Sequence, residues 1–131
     1  MPSQIVSPYR KHGETFYPTA PFEIRHLGNL VVTDALIDSG ATLSIFRPEI
    51  ADRLGIPIER GKKILIRGIA GDVIAYVHAL RIRILEQDFE WNVAFCRNLG
   101  FSLNLMGRSG FFENHEVTFH EKEKQVVLKS E

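Results

Sequence analysis

The apolar residues of this chain fall into two patterns. Leu30-Val31-Val32 and Ala35-Leu36-Ile37 bring together β-branched and aliphatic side chains without a helical period, which predicts a buried strand over residues 30–37. A second apolar stretch covers residues 16–25, and the intervening His26-Leu27-Gly28-Asn29 holds a Gly-Asn pair suited to a turn, so a hairpin is predicted. Further on the period becomes two. Leu80, Ile82 and Ile84 alternate with Arg81 and Arg83, and Phe89, Trp91, Val93 and Phe95 alternate with Glu90, Asn92 and Ala94. These are two half-buried antiparallel strands, joined by a turn at Glu86-Gln87-Asp88. Residues 116–120 and 125–129 predict a last hairpin around 121–124. Pro48–Leu54 reads as a short helix, with Pro48 in its first turn, Ile50 and Leu54 on one face, Gly55 in the left-handed position after its end and Pro57 preventing continuation. Residues 1–15 show little periodicity and are read as a loose arm that orders on assembly, leaving residues 16–131 as a single domain. The expectation is a mostly-β fold with two brief helices.

Composition narrows the function without naming it. A chain of 131 residues, 44% hydrophobic and 24% charged, is one domain able to bury its own core. Sixteen basic residues balance sixteen acidic ones, so no broad electrostatic footprint for nucleic acid or acidic lipid is present. No apolar run approaches the length of a membrane span, and the first residues lack a secretory pattern, which makes a cytoplasmic location the expectation. The single cysteine, Cys96, excludes an intramolecular disulfide and, following Phe95 in a strand pattern, is read as a buried inert thiol. His12, His26, His78, His115 and His120 show no metal-ligand spacing and are read as surface or turn residues.

The candidate chemistry lies at residues 35–42. Asp38 ends the apolar run and is followed by Ser39 and Gly40, a hydroxyl and a flexible turn with backbone donors close by, as a half-buried carboxylate requires. Taken alone, Asp-Ser-Gly is far more often an ordinary turn than a catalytic loop. Three segments in order, however, resemble the retropepsin-like aspartic proteases, single-domain relatives of pepsin and of the retroviral proteases. Ala-Leu-Ile-Asp-Ser-Gly-Ala-Thr at 35–42 fits the family's hydrophobic-hydrophobic-Asp-Thr/Ser-Gly-Ala motif, and residues 66–74 are similar to the glycine-tipped flap hairpin. Leu103 to Arg108, then 109–112, is similar to the paired-hydrophobic, Gly-Arg and short-helix segment beneath the catalytic loop. The Ala41-Thr42 continuation and the terminal hairpin resemble stand-alone bacterial members more than viral ones.

That resemblance implies a single-lobe closed β-barrel with a flap, and an aspartic endopeptidase. The chemistry uses two carboxylates sharing one proton around a water, and this chain has one Asp-Ser-Gly. A homodimer is therefore expected, with Asp38 from each subunit meeting at the two-fold axis, itself and a peptide or protein substrate as the only partners, and no cofactor. By resemblance, Ser39 would reach the partner loop's backbone, Gly40 and Ala41 would border substrate, and Gly68, Ile69, Ala70 and Gly71 would form the flap tip. Where retroviral enzymes carry an acidic residue, this chain has Thr42, leaving Arg108 without that carboxylate.

Other constellations have plainer readings. Phe111 stands where Gly107-Arg108-Ser109-Gly110 would need another glycine to make a hydrolase nucleophile turn. Trp91 is read as core, Tyr76 as packing or cleft cover, and Asp34 and Asp72 as solvated acids. The alternative function is a non-catalytic module of the same fold, serving dimerisation or peptide binding.

Overall fold

The computed structural model describes residues 3–68, 71–98, 100 and 102–131. Twelve strands dominate the described residues: β1 (Gln4–Pro8), β2 (Arg10–His12), β3 (Thr15–Tyr17), β4 (Thr19–His26), β5 (Asn29–Ile37), β6 (Ser44–Phe46), β7 (Lys62–Gly68), β8 (Gly71–Ile84), β9 (Gln87–Phe95), β10 (Asn104–Met106), β11 (His115–His120) and β12 (Gln125–Ser130). Helix α1 (Pro48–Leu54) follows β6, with Gly55 at φ 74° closing it, as the glycine's lack of a Cβ allows. A single 3₁₀ turn, Ile58–Arg60, precedes β7.

Seven strands form the main sheet in the order β4-β5-β10-β6-β9-β8-β7, and β4 also pairs with the long β8, so the sheet curls back upon itself. The inner face carries the core, in which Phe22, Ile24, Phe46, Leu80, Ile82 and Phe95 are buried. Alternation over the end of β8 gives this result, Leu80, Ile82 and Ile84 turning inward while Arg81 and Arg83 remain at the surface; at the end of β9 it stops, and Val93, Ala94 and Phe95 are all buried. Trp91 and Cys96 are buried as expected.

Several details depart from the sequence reading. Residues 4–8, taken for part of a loose arm, form β1 and pair antiparallel with β12, which pairs in turn with β11. Backbone pairing rather than any apolar period orders this segment, so the pattern along the chain carried no sign of it. Residues 10–17 make a separate two-stranded hairpin. The β8–β9 turn is Leu85-Glu86, both at positive φ (51° and 63°), one step before the polar cluster that suggested it. A two-residue turn of this hand matches the twist of its strands, and that requirement overrode side-chain preference. The segment Arg108–Phe112, expected as a short helix, is a kinked helical turn with Ser109 and Gly110 outside helical geometry.

His115 is the clearest correction. Far from being a surface histidine, it is 2% exposed and stacks against Phe111, with Phe89 and Trp91 edge-on. Its Nδ1–H donates to the Phe111 carbonyl (2.9 Å), while Nε2 is buried with no partner. Burial pushes this imidazole below its ordinary value, opposed by the Phe111 bond and by Glu131. Asp34, read as solvated, holds Arg10.

Candidate active site

Asp38 follows immediately on β5, and β10 fixes its height. β10 runs parallel to β5 in the register Asn104↔Ala35, Leu105↔Leu36 and Met106↔Ile37, and the Asp38 N–H donates to the Met106 carbonyl (3.0 Å). The chain then turns tightly. The Ala41 N–H donates to the Asp38 carbonyl (3.2 Å) and the Gly40 N–H to Asp38 Oδ1 (2.9 Å), so the carboxylate is held by its own loop. Asp38 is half-buried, Ser39 and Gly40 are exposed, and Asp38 has no ion pair among the described residues.

The segment after β10 crosses behind this loop and locks it. Arg108 N–H donates to the Ala41 carbonyl (2.8 Å), and Ser109 N–H to that of Thr42 (2.8 Å). Gly107 lies so near that a Cβ there would sit 2.5 Å from the Leu43 oxygen. Ser44, fully buried, accepts the Gly107 N–H through Oγ (3.0 Å) and donates weakly to Met106 Sδ (3.6 Å). Asn104 ties the same strands together, accepting from Arg47 N–H (2.8 Å) and donating to the Asp34 carbonyl (3.0 Å). Neither Ser44 nor Asn104 was singled out by the sequence, where a serine or asparagine between apolar residues has no distinguishing mark. Arg108, expected to lack a carboxylate, donates instead to Thr42 Oγ1 (3.4 Å).

A cleft of about 350 Å³ separates Gly40, Ala41, Thr42 and Leu43 from Ile64–Arg67 of β7. Gly40 and Ala41 thus face the hairpin β7–β8, whose described end is the pair Gly68↔Gly71. Ile69 and Ala70 lie outside the described residues. A larger open depression of about 680 Å³ at the β4–β5 turn is lined by Arg25, His26, Arg81 and Glu90 and includes no residue of the acid loop, so size does not mark the site. Among the described residues no helix is long and apolar enough to cross a membrane.

This fold is that of the retropepsin-like aspartic proteases. A retropepsin-like aspartic protease from Rickettsia conorii superposes with a TM-score of 0.65 at 17% identity, over 99% of this chain and 93% of that one. EIAV protease, complexed with the inhibitor HBY-793, matches at 0.56 and 20% identity, over 76% of this chain and 88% of its own. A search of curated proteins finds no match. The aspartyl protease family model matches residues 22–94, more than half of the chain, and the protein belongs to that family and is a peptidase.

Proposed function

We propose that the protein is an aspartic endopeptidase in which Asp38 carboxylates from two identical subunits activate one water. The observation that carries this reading is the half-buried strand-end acid, gripped by the Gly40 N–H on a loop whose next residues line a cleft, with no ion pair of its own among the described residues. One carboxylate accepts a proton from water as its oxygen bonds to the peptide carbonyl carbon, while the other, protonated, donates to the carbonyl oxygen. The carboxyl that took the water's proton then gives it to the leaving nitrogen as the C–N bond of the diol breaks, while the other carboxylate accepts a proton from one diol hydroxyl, so that an acid and an amine leave and the pair again holds one proton. Two carboxylates that close cannot both ionise cheaply, which supports an active state bearing one proton between them. In this reading Ser39 braces the partner loop, Gly40 and Ala41 take the substrate backbone, and Gly68, Ile69, Ala70 and Gly71 close over it as a flap. The curled main sheet is then the family's closed barrel.

The test is cleavage of casein from mildly acidic to neutral pH. Asp38→Asn is expected to abolish cutting with the fold intact. Titrating wild type with excess Asp38→Asn should also extinguish activity, since each mixed dimer has one acid. Unimpaired cleavage by the variant, or additive activity in the mixture, would defeat the shared site.

A further inference from the structure

The walls of the cleft are mostly apolar, with Thr42 the one uncharged polar side chain among the described residues that line it. Ala41, Leu43, Ile45, Ile64 and Ile66 offer aliphatic surface, and Arg67 is the only charged side chain among the described residues that line it. Arg67 is exposed and stands directly across the hairpin from Asp72, yet forms no ion pair with it. Among the described residues Arg10, Arg25, Arg47, Arg83 and Arg97 each hold a carboxylate, while Arg53, Arg60, Arg81 and Arg108, like Arg67, hold none; Arg67 alone of these lines the cleft. The Arg67 guanidinium, a rigid fork of donors suited to a carboxylate, lines the cleft without a carboxylate partner among the described residues.

Its setting indicates how a ligand would meet it. β7 ends the strand order, so one edge of its backbone lacks a strand partner in this sheet, and its residues Ile64–Arg67 border the cleft. An extended peptide beside such an edge presents alternate side chains to fixed positions. Close to the shared acids, which carry net negative charge, an acidic side chain is repelled; beside Arg67 it is attracted. In a two-fold assembly Arg67 occurs twice, once toward each end of the bound peptide.

We propose that Arg67 selects substrates with an aliphatic centre flanked by a carboxylate side chain, and that the preference recurs at equal distance on both sides of the cleaved bond. This rests on the protease reading above, from which the test must be separable. A Glu, Gln or Lys is walked along an otherwise constant apolar peptide and kcat/KM is measured at each position. Wild type should favour Glu over Lys by about tenfold at symmetric positions, as a single charge-assisted hydrogen bond allows, and high salt should reduce the ratio. Arg67→Gln should bring the ratio near one, Arg67→Glu should invert it, and Arg67→Lys should retain part of it. A ratio near one at every position in wild type, or one that survives Arg67→Gln, overturns the proposal.

Binding of the same labelled peptides to Asp38→Asn, with and without Arg67→Gln, separates the two readings. Arg67-dependent capture of the Glu peptide without any cleavage by wild type would uphold this selectivity and defeat the protease mechanism. Cleavage without charge preference would defeat the selectivity alone. Neither capture nor cleavage would defeat both.

Discussion

At Gly107 an added methyl carbon would sit 2.5 Å from the Leu43 oxygen and 2.8 Å from that of Ala41, and both obstacles are backbone. The residue's φ of −104° suits any side chain, so glycine is required here by lack of room. Gly107→Ala should push the acid loop forward and cost about 1–3 kcal/mol. Ser44→Ala leaves the buried Gly107 N–H without its acceptor, with an expected loss of similar size, about 1–3 kcal/mol. Urea unfolding of the two variants checks both values, and a midpoint unchanged in either would show the lock to be dispensable. Asp38 was legible in the sequence because carboxylate, hydroxyl and glycine are adjacent in the chain. Ser44 acts across 63 residues on Gly107, and no local pattern encodes such a contact.

Among elements, those with a clean period were legible and those fixed by tertiary pairing were not. β8 and β9 alternate, and α1 has its proline and glycine at opposite ends, so each could be read from local sequence. β1 has no such mark, because β12 supplies its order. The turn Arg108–Phe112 joins β11 through His115, whose neutral ring is enclosed by Phe89, Trp91 and Phe111. Its acidity in the fold is displaced below the ordinary value of 6.5, chiefly by burial. Above that value the group is neutral in both folded and unfolded chains, and its full contribution to stability is present. As pH falls, the unfolded chain takes up the proton first, and stability declines until His115 titrates within the fold. Unfolding midpoints from about pH 7 to about pH 5 should therefore fall, and more steeply in wild type than in His115→Gln. Parallel profiles would refute the assignment.

At the scale of the molecule, β12 has a strand of its own chain on either side. A second copy finds no vacant place beside it, and within this three-stranded sheet the outer edges of β1 and β11 are those left for strand addition among the described residues. In the proposed dimer the acid loops themselves are brought together, and their like charges oppose association near neutral pH. Asp38→Asn should tighten the dimer there, as read by sedimentation equilibrium, with wild type approaching it as acid supplies the shared proton. A dimer constant indifferent to both substitution and pH would place the two acids too far apart to share one.

The β1–β12 ladder has a mechanical corollary. Ser3 and Ser130 are bonded to each other, N–H to Oγ (2.8 Å) and N–H to carbonyl (2.9 Å), so force applied through these two points bears on a single end of an antiparallel pair. The ladder is then loaded one rung at a time rather than in shear, and the terminal sheet peels away before the acid loop feels any tension.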